Sequence, residues 1–248
     1  MNTIFKFTLF LFPFLIFAQS YEITYQRYAS RYDGNLDDVI KRLTNPKSDI
    51  HKEQKNELTL VYTDGISICG SNLVGYINKN ASKEEYTPQV SQTIHYKNQK
   101  DNTLIKSLPN WIPAIYGQDI RVKSKLLSFD WQITNTTSSI SGYNCHLATT
   151  TLDNGDKIIA WYTDQIGIND GPYNYWGLPG LILQLQISNR VLLIGTSVKK
   201  LDKIIEIPIP DKGDIMTPEE FKVLQEEVLK PRTITRPDGS TVTIRRSE

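Results

Sequence analysis

The fold is decided by residues 160–183, which read AWYTDQIGINDGPYNYWGLPGLIL. The stretch holds four glycines, two prolines and five large aromatic side chains, and it ends in an apolar run. Leu178-Pro179-Gly180-Leu181 predicts a type II turn, because Pro fixes φ at the second position and Gly takes positive φ at the third. That turn directs the chain into a strand beginning at Leu181.

Three aromatic residues, Tyr173, Tyr175 and Trp176, lie between a Gly171-Pro172 bend and this turn. Two interpretations stay open for them. They cap the open end of a sheet as a plug, with their polar tips on backbone groups. Alternatively they form a docking surface for an apolar ligand or an extended peptide.

The chain on both sides of this stretch is rich in strand patterns. Val191 to Val198 is apolar on both faces, which predicts a central strand. Asp64-Gly65 and Asn154-Gly155 are typical of turns. We therefore expect a mainly β, β-rich α+β fold, a curved antiparallel sheet or half-barrel with a few short helices. Strands are predicted at 21–28, 57–63, 66–77 (two short ones), 92–96, 102–108, 129–134, 142–151, 157–163, 181–188 and 191–198.

Helices are predicted at two places. Asn35 to Leu43 has apolar residues at helical spacing and is followed by Asn45-Pro46. Thr217-Pro218-Glu219-Glu220 is a helix start with a Thr N-cap, Pro at the first position and a carboxylate at the third. That helix ends at Lys230-Pro231, and residues 231–248 form a basic tail or a terminal hairpin. Residues 20–230 are expected to form a single domain.

Residues 1–19 predict a secretory signal peptide: Lys6, an apolar run, then small residues near a cleavage point. The run is too short for a spanning helix, which needs about 20 residues, and no transmembrane segment is expected after cleavage. Without Lys6, Lys+Arg falls from 28 to 27 against 27 Asp+Glu. A neutral mature chain argues against nucleic acid as a partner, because phosphate neutralisation drives that binding.

The two cysteines, Cys69 and Cys145, leave two interpretations open. An oxidising exported compartment permits a disulfide between them. They also fit two small buried hydrophobic residues. In 142–151 the alternation turns Tyr143, Cys145 and Leu147 inward and His146 to the opposite side.

No metal, cofactor or catalytic residue is expected. Neighbouring strand residues such as Cys145 and His146 face opposite sides and do not share one ion easily. No recognised catalytic motif is present. Asp164 and Asp170 flank the loop and are the candidate carboxylate pair of an enzyme alternative, with His146 as a third polar group.

The hexapeptide Gly177-Leu178-Pro179-Gly180-Leu181-Ile182 resembles the hallmark of the GLPGLI family of exported bacterial proteins. The resemblance extends upstream over Trp131-Gln132-Ile133, the 140–148 strand ISGYNCHLA, Ala160 to Thr163 and Gly171 to Tyr173. It places the predicted binding loop at Trp161, Tyr162, Gly171, Pro172, Tyr173, Tyr175, Trp176, Gly177, Leu178, Pro179, Gly180, Leu181 and Ile182.

This resemblance implies export to the periplasm, with the cell surface or the medium as other destinations. It also implies genes near TonB-dependent outer-membrane receptors, and it implies no reaction. We therefore expect a non-enzymatic binding or accessory protein whose partner is an outer-membrane protein or an apolar or peptide ligand. A periplasmic lipid carrier, a hydrolase with an unfamiliar site and a purely structural envelope protein are the alternatives. The sequence leaves the oligomeric state open.

Overall fold

The alternating runs fold into strands joined by short turns at the predicted Gly and Asn positions. The computed structural model describes residues 19–29, 57–71, 73, 93–109, 119–230, 232–235 and 241–244. These ranges contain β1 (Ser20–Ala29), β2 (Glu57–Thr63), β3 (Ile66–Gly70), β4 (Ile94–Asn98), β5 (Thr103–Leu108), β6 (Ile120–Ser124), β7 (Gln132–Ile140), β8 (Tyr143–Thr151), β9 (Lys157–Thr163), β10 (Leu181–Ile187), β11 (Val191–Leu201), β12 (Asp214–Met216), α1 (Pro218–Leu229), β13 (Arg232–Thr235) and β14 (Thr241–Ile244).

Twelve of these strands form one open sheet in the order β12-β6-β5-β4-β3-β2-β1-β11-β10-β9-β8-β7. Neighbours pair antiparallel except for β12, which runs parallel to β6. Strand β11 lies between β1 and β10, so its predicted interior position is confirmed. Strands β13 and β14 form a separate terminal hairpin. The predicted β-rich class, with an open sheet and a helix near the C-terminus, is confirmed.

Several predicted boundaries change. The strands at 57–63 and 157–163 are confirmed at their predicted bounds. The strand expected at 129–134 begins at Gln132 and runs on to Ile140. Just before it, the Phe129 ring stacks on Tyr175 and the Trp131 indole N–H donates to the Trp176 carbonyl. Strands β6 and β12 were not predicted. The signal peptide at 1–19 (except Gln19), the helix at 35–43 and the second strand expected within 66–77 lie outside the described residues.

The sheet has two apolar faces. Directly opposed residues share a face, so Leu60, Cys69, His95 and Lys106 form one row across β2 to β5. We call this side the first face; it carries the main core around Ile23 and the buried residues of β9 to β11. The second face carries a smaller core of Val61, Ile68, Ile94, Tyr96 and Ile105, covered by Leu73 and Ile207.

Helix α1 begins with the predicted capping box. The Thr217 hydroxyl accepts the Glu220 N–H at 3.2 Å, and the Glu220 carboxylate accepts the Thr217 N–H at 2.8 Å. Phe221 and Leu224 pack against Leu108, Ile120 and Val122. The helix therefore covers the β5–β6 end of the first face. Among the residues that the structure describes, no helix is both long and apolar enough to cross a bilayer.

The β7–β8 hairpin is irregular, and its tip contacts β11. The pairing shifts register between Ile133 and Thr137, and the Ser141 hydroxyl at the tip donates to the Gly195 carbonyl of β11. Cys145 is buried as predicted, but Ala148 and Thr150 on the opposite face are buried too. Residues buried from both faces of β8 thus accompany the predicted alternation, in which Cys145 and His146 lie on opposite sides.

Candidate functional site

Residues 164–180, which we call the plug, leave β9, cross the first face and return to β10. The Tyr173 N–H donates to the Cys69 sulfur on β3 at 3.2 Å. The Tyr25 hydroxyl on β1 donates to the Ile182 carbonyl at 2.7 Å, just where the plug enters β10. Strands β1, β2, β3 and β11 separate β10 from β4 in the sheet. The plug therefore spans the middle of the sheet.

A buried ion pair fixes the centre of the plug to β4. The Lys97 ammonium contacts the Asp170 carboxylate, and both side chains are fully buried. It also donates to the Gly171 carbonyl at 2.7 Å and to the Tyr175 carbonyl at 3.3 Å. The three donors of a lysine ammonium are thus all engaged. Burial of the pair is tolerated because these hydrogen bonds accompany the charge attraction.

Backbone hydrogen bonds shape the plug around this ion pair. The Gly171 N–H donates to the Asp170 carboxylate at 2.7 Å, and the Ile182 N–H donates to the Asp170 carbonyl at 2.9 Å. Asp170 also forms an isolated antiparallel bridge with Trp176. A Cβ on Gly171 would lie 2.8 Å from the Ile182 side chain. The sequence Asp-Gly-Pro therefore lets the plug turn tightly against the first residues of β10.

The turn within the hexapeptide Gly177–Ile182 differs from its prediction. The Gly180 N–H donates to the Leu178 carbonyl at 2.7 Å, which closes a three-residue turn around Pro179 in place of the four-residue type II turn. Gly180 has φ of +157°, far from the value a type II turn requires. Leu181 pairs with Thr163 of β9, and the strand thus begins immediately after the turn.

Residues 125–131, which we call the strap, lie over the outer side of the plug. The Trp176 indole N–H donates to the Leu127 carbonyl at 2.7 Å, and the Trp131 indole N–H donates to the Trp176 carbonyl at 2.9 Å. The Phe129 ring stacks on the Tyr175 ring with centroids 5.2 Å apart. The strap thus connects β6 to β7 while it encloses the plug.

Most of the predicted binding loop is buried by these contacts. Three aromatic members keep part of their surface exposed: Trp161, Tyr173 and Trp176. Gly177 and Pro179 are exposed. The buried members are Tyr162, Gly171, Pro172, Tyr175, Leu178, Gly180, Leu181 and Ile182.

The candidate catalytic carboxylates have different environments. Asp170 forms a buried ion pair with Lys97, whereas Asp164 is exposed. The His146 ring lies over Tyr162 with centroids 5.7 Å apart. No cluster of three metal-binding side chains occurs within the described ranges. The structure therefore does not assemble Asp164, Asp170 and His146 into an open polar cleft.

Both cysteines are free and buried, so the possible disulfide between Cys69 and Cys145 is not formed in this structure. Burial raises the pKa of the Cys69 thiol to about 12 and that of Cys145 to about 11. Such thiols stay protonated at neutral pH and are poor nucleophiles. The interpretation as small buried hydrophobic residues describes them better.

His95, which sequence reasoning left unassigned, is buried beside the plug. Burial first, and then the charges of Lys106 and Lys97, lower its pKa from 6.5 to about 3. Between these two values the unfolded chain binds more protons than the folded chain. The free energy of unfolding should therefore fall as the pH drops from about 6.5 towards 3.

We expect the His95 imidazole to stay neutral from pH 8 to pH 5 in the folded protein. Histidine-labelled protein shows this directly by NMR, because the chain has only three histidines. A His95→Gln variant assigns the signal. Titration of the His95 signal near pH 6.5 would contradict the buried environment.

Comparison with known proteins identifies one family model and solved structures that resemble parts of this chain. The sheet, plug and strap define a β-rich protein whose own loop fills one face of an open sheet. Residues 151–184 match the model of a family described as a protein of unknown function (Porph_ging). No curated protein matches the chain.

Two solved structures of PNGF-II share the fold. The structure in space group C2 has 18% sequence identity and a TM-score of 0.51, and the structure in space group P21 has 17% and 0.53. Each comparison covers 88% of this chain but only 34% or 35% of the PNGF-II chain. This chain thus spans about a third of the length of PNGF-II, and at this identity the likeness concerns the fold alone.

Proposed function

We propose that this chain is an exported, non-enzymatic binding or accessory protein. It takes up an extended segment of an outer-membrane protein along the free edge of β7. The observation that carries this proposal is the edge itself. Among the strands that the structure describes, β7 lies at the end of the sheet, and six of its nine residues are exposed. A free strand edge offers unpaired N–H and C=O groups to another chain, as in β-strand addition.

The composition of β7 supports this role. Proteins usually protect an edge with charged residues, Pro or a very short strand. The strand QITNTTSSI contains no charge and no proline, and its Thr and Ser residues suit an extended conformation. One protective feature is present, the register shift between Ile133 and Thr137. The regular part from Thr137 to Ile140 is the segment most open to an added strand.

Apolar surface lies beside the start of this edge. Ile133 is 51% exposed and Leu127 is 45% exposed. Ile133 pairs with Ala148, which places it on the first face with the plug. The partly exposed Trp176 ring is held at Leu127 by its indole hydrogen bond. An extended partner could thus combine backbone pairing on β7 with apolar side chains against these three residues.

The proposed compartment and partner rest on the sequence. The N-terminal pattern predicts export, and the hexapeptide resembles that of the GLPGLI family, which implies TonB-dependent receptors as genomic neighbours. Binding through an edge strand requires no catalytic group. The candidate catalytic carboxylate Asp170 is buried in its ion pair with Lys97, which agrees with a binding role.

A carrier role is less well supported than edge binding. The plug aromatics and the Lys97–Asp170 pair occupy the centre of the first face, where an acyl chain would have to lie. A hydrolase that uses the Asp164–Asp170 carboxylate pair would need Asp170 in contact with substrate, and this residue is fully buried.

A photo-cross-linking amino acid placed at Ser139 on β7 tests the proposal in the native host envelope. We expect cross-links to one contiguous segment of an outer-membrane protein, because strand addition aligns a single partner segment with the edge. Mass spectrometry of the cross-linked peptides identifies that segment. The same amino acid at Val223, which is 62% exposed on α1, serves as the control.

A Thr136→Lys and Ser139→Lys double variant should abolish this cross-link when the probe is placed at Thr137. Charged side chains on an edge strand block pairing with another strand. A Val223→Lys variant should leave it intact. Two results would argue against edge binding. One is equal cross-linking from probes on β7 and on α1. The other is a cross-link to the outer-membrane protein that persists in the Thr136→Lys and Ser139→Lys double variant.

A further inference from the structure

The buried pair of Lys97 and Asp170 brings together the two groups from which an amide forms. Neither side chain has any solvent exposure, and the Lys97 Nζ atom contacts the Asp170 Oδ1 atom. Oδ1 also accepts the Gly171 N–H at 2.7 Å. Within the described ranges, nothing donates to the second oxygen, Oδ2, although it is buried as well. The two carboxylate oxygens of Asp170 therefore differ: one is doubly bonded by donors and the other has no partner.

Two further contacts hold the Lys97 amine in place. Nζ donates to the Gly171 carbonyl at 2.7 Å and to the Tyr175 carbonyl at 3.3 Å. The carboxylate carbon Cγ of Asp170 is one bond away from Oδ1, so a small shift of Nζ brings it against that carbon. Two groups held in contact react with a large entropic advantage over the same groups in solution. Burial also excludes bulk water, which would otherwise hydrolyse the product.

We propose that Lys97 and Asp170 condense to an isopeptide bond, in which Nζ joins Cγ and one water leaves. One proton first passes from the ammonium to Oδ2, because burial disfavours charged groups relative to a neutral amine and acid. The amine then attacks Cγ, and the Gly171 N–H stabilises the negative charge that develops on Oδ1. A second proton passes from Nζ to Oδ2, the bond from Cγ to Oδ2 breaks, and this oxygen leaves as water. The reaction consumes no oxidant and no other reactant.

The isopeptide bond ties the plug covalently to β4. The two residues are 73 positions apart, and both cysteines of the chain are free, so no disulfide supplies such a tie. A cross-link that closes a long loop stabilises a protein by restricting its unfolded chain. Before condensation, the ion pair alone holds the plug. The modification lies beneath the plug, away from the β7 edge, and does not depend on the proposed edge binding.

Mass spectrometry of the mature protein, purified from its host and then denatured, tests the proposal. We expect most molecules to be lighter than their sequence mass by one water. Trypsin should release a branched peptide that joins residues 84–100 to residues 158–190, because a modified Lys97 is no longer cleaved. Fragmentation of this peptide should locate the branch at Lys97 and Asp170. Linear peptides alone, even after prolonged incubation of the folded protein, would overturn the proposal.

Two variants separate this bond from a succinimide, which an Asp-Gly pair such as Asp170-Gly171 also forms with loss of one water. A succinimide leaves the peptide linear and does not need Lys97. Lys97→Met should therefore restore the full mass and abolish the branched peptide. The matched control is Asp164→Asn, which removes the other carboxylate of residues 158–190, an exposed one, and should retain the branch. An equal loss of water in wild type and Lys97→Met, with no branched peptide, would contradict the isopeptide bond. The wild-type peptide decides the question even if a variant fails to fold.

Discussion

Replacing Gly180 by alanine should destabilise the protein by about 3 kcal/mol or more, at the upper end of what overpacking costs. A Cβ at this position would overlap the Thr163 carbonyl oxygen and lie 2.6 Å from its carbonyl carbon. Both atoms belong to the backbone of β9, so a side-chain rotation cannot relieve the contact. Either the turn must move or the β9–β10 pairing must open. Urea denaturation of wild type and variant measures the loss.

Gly142→Ala separates this steric effect from simple backbone strain. Gly142 has φ of +85°, and a Cβ there would meet nothing within 4 Å. The expected cost is about 1 kcal/mol, the scale for placing an L side chain in the left-handed region. If Gly180→Ala and Gly142→Ala lose similar stability, the close contact between Gly180 and the backbone of β9 does not explain the need for glycine at position 180.

The fold was largely predictable because local patterns determine most strands. Strand patterns beside the Asp64-Gly65 and Asn154-Gly155 turns located β2 and β9 at their observed bounds, and the apolar run of β11 indicated its interior position. The capping residues Thr217 and Glu220 located α1. These signals lie within a few neighbouring residues, and tertiary contacts agree with them.

The arrangement of the site was harder to predict because it depends on distant contacts. Lys97 and Asp170 are 73 positions apart, and a lysine within a short strand is normally expected at the surface. The Pro-Gly turn was assigned to type II because its residues fit that class, but the immediate pairing of Leu181 with Thr163 tightens it. The contact between His95 and Tyr173 depends on the cross-strand register and on the path of the plug, which a single sequence does not reveal.

Replacing Lys97 by methionine should cost about 3 to 5 kcal/mol of stability, the range for breaking a buried ion pair by removing one partner. Methionine is similar in length and fills the same space, so the loss reports charge and hydrogen bonding. The variant leaves the Asp170 carboxylate buried without its cation, and it removes the donor to the Gly171 and Tyr175 carbonyls. Chemical denaturation measures the change, and cleavage within 164–180 by a protease reports release of the plug.

The exposed pair Lys100–Asp64 provides the matched control, because both of its side chains are more than half exposed. Lys100→Met should change stability by about 1 kcal/mol or less, as for surface ion pairs in general. A Lys97→Met and Asp170→Leu double variant should recover part of the loss, since removing both charges eliminates the unpaired carboxylate. Equal losses at Lys97 and Lys100 would mean that the buried pair does not hold the plug. In that case the strap and the Tyr25 and Cys69 hydrogen bonds would have to keep it on the sheet.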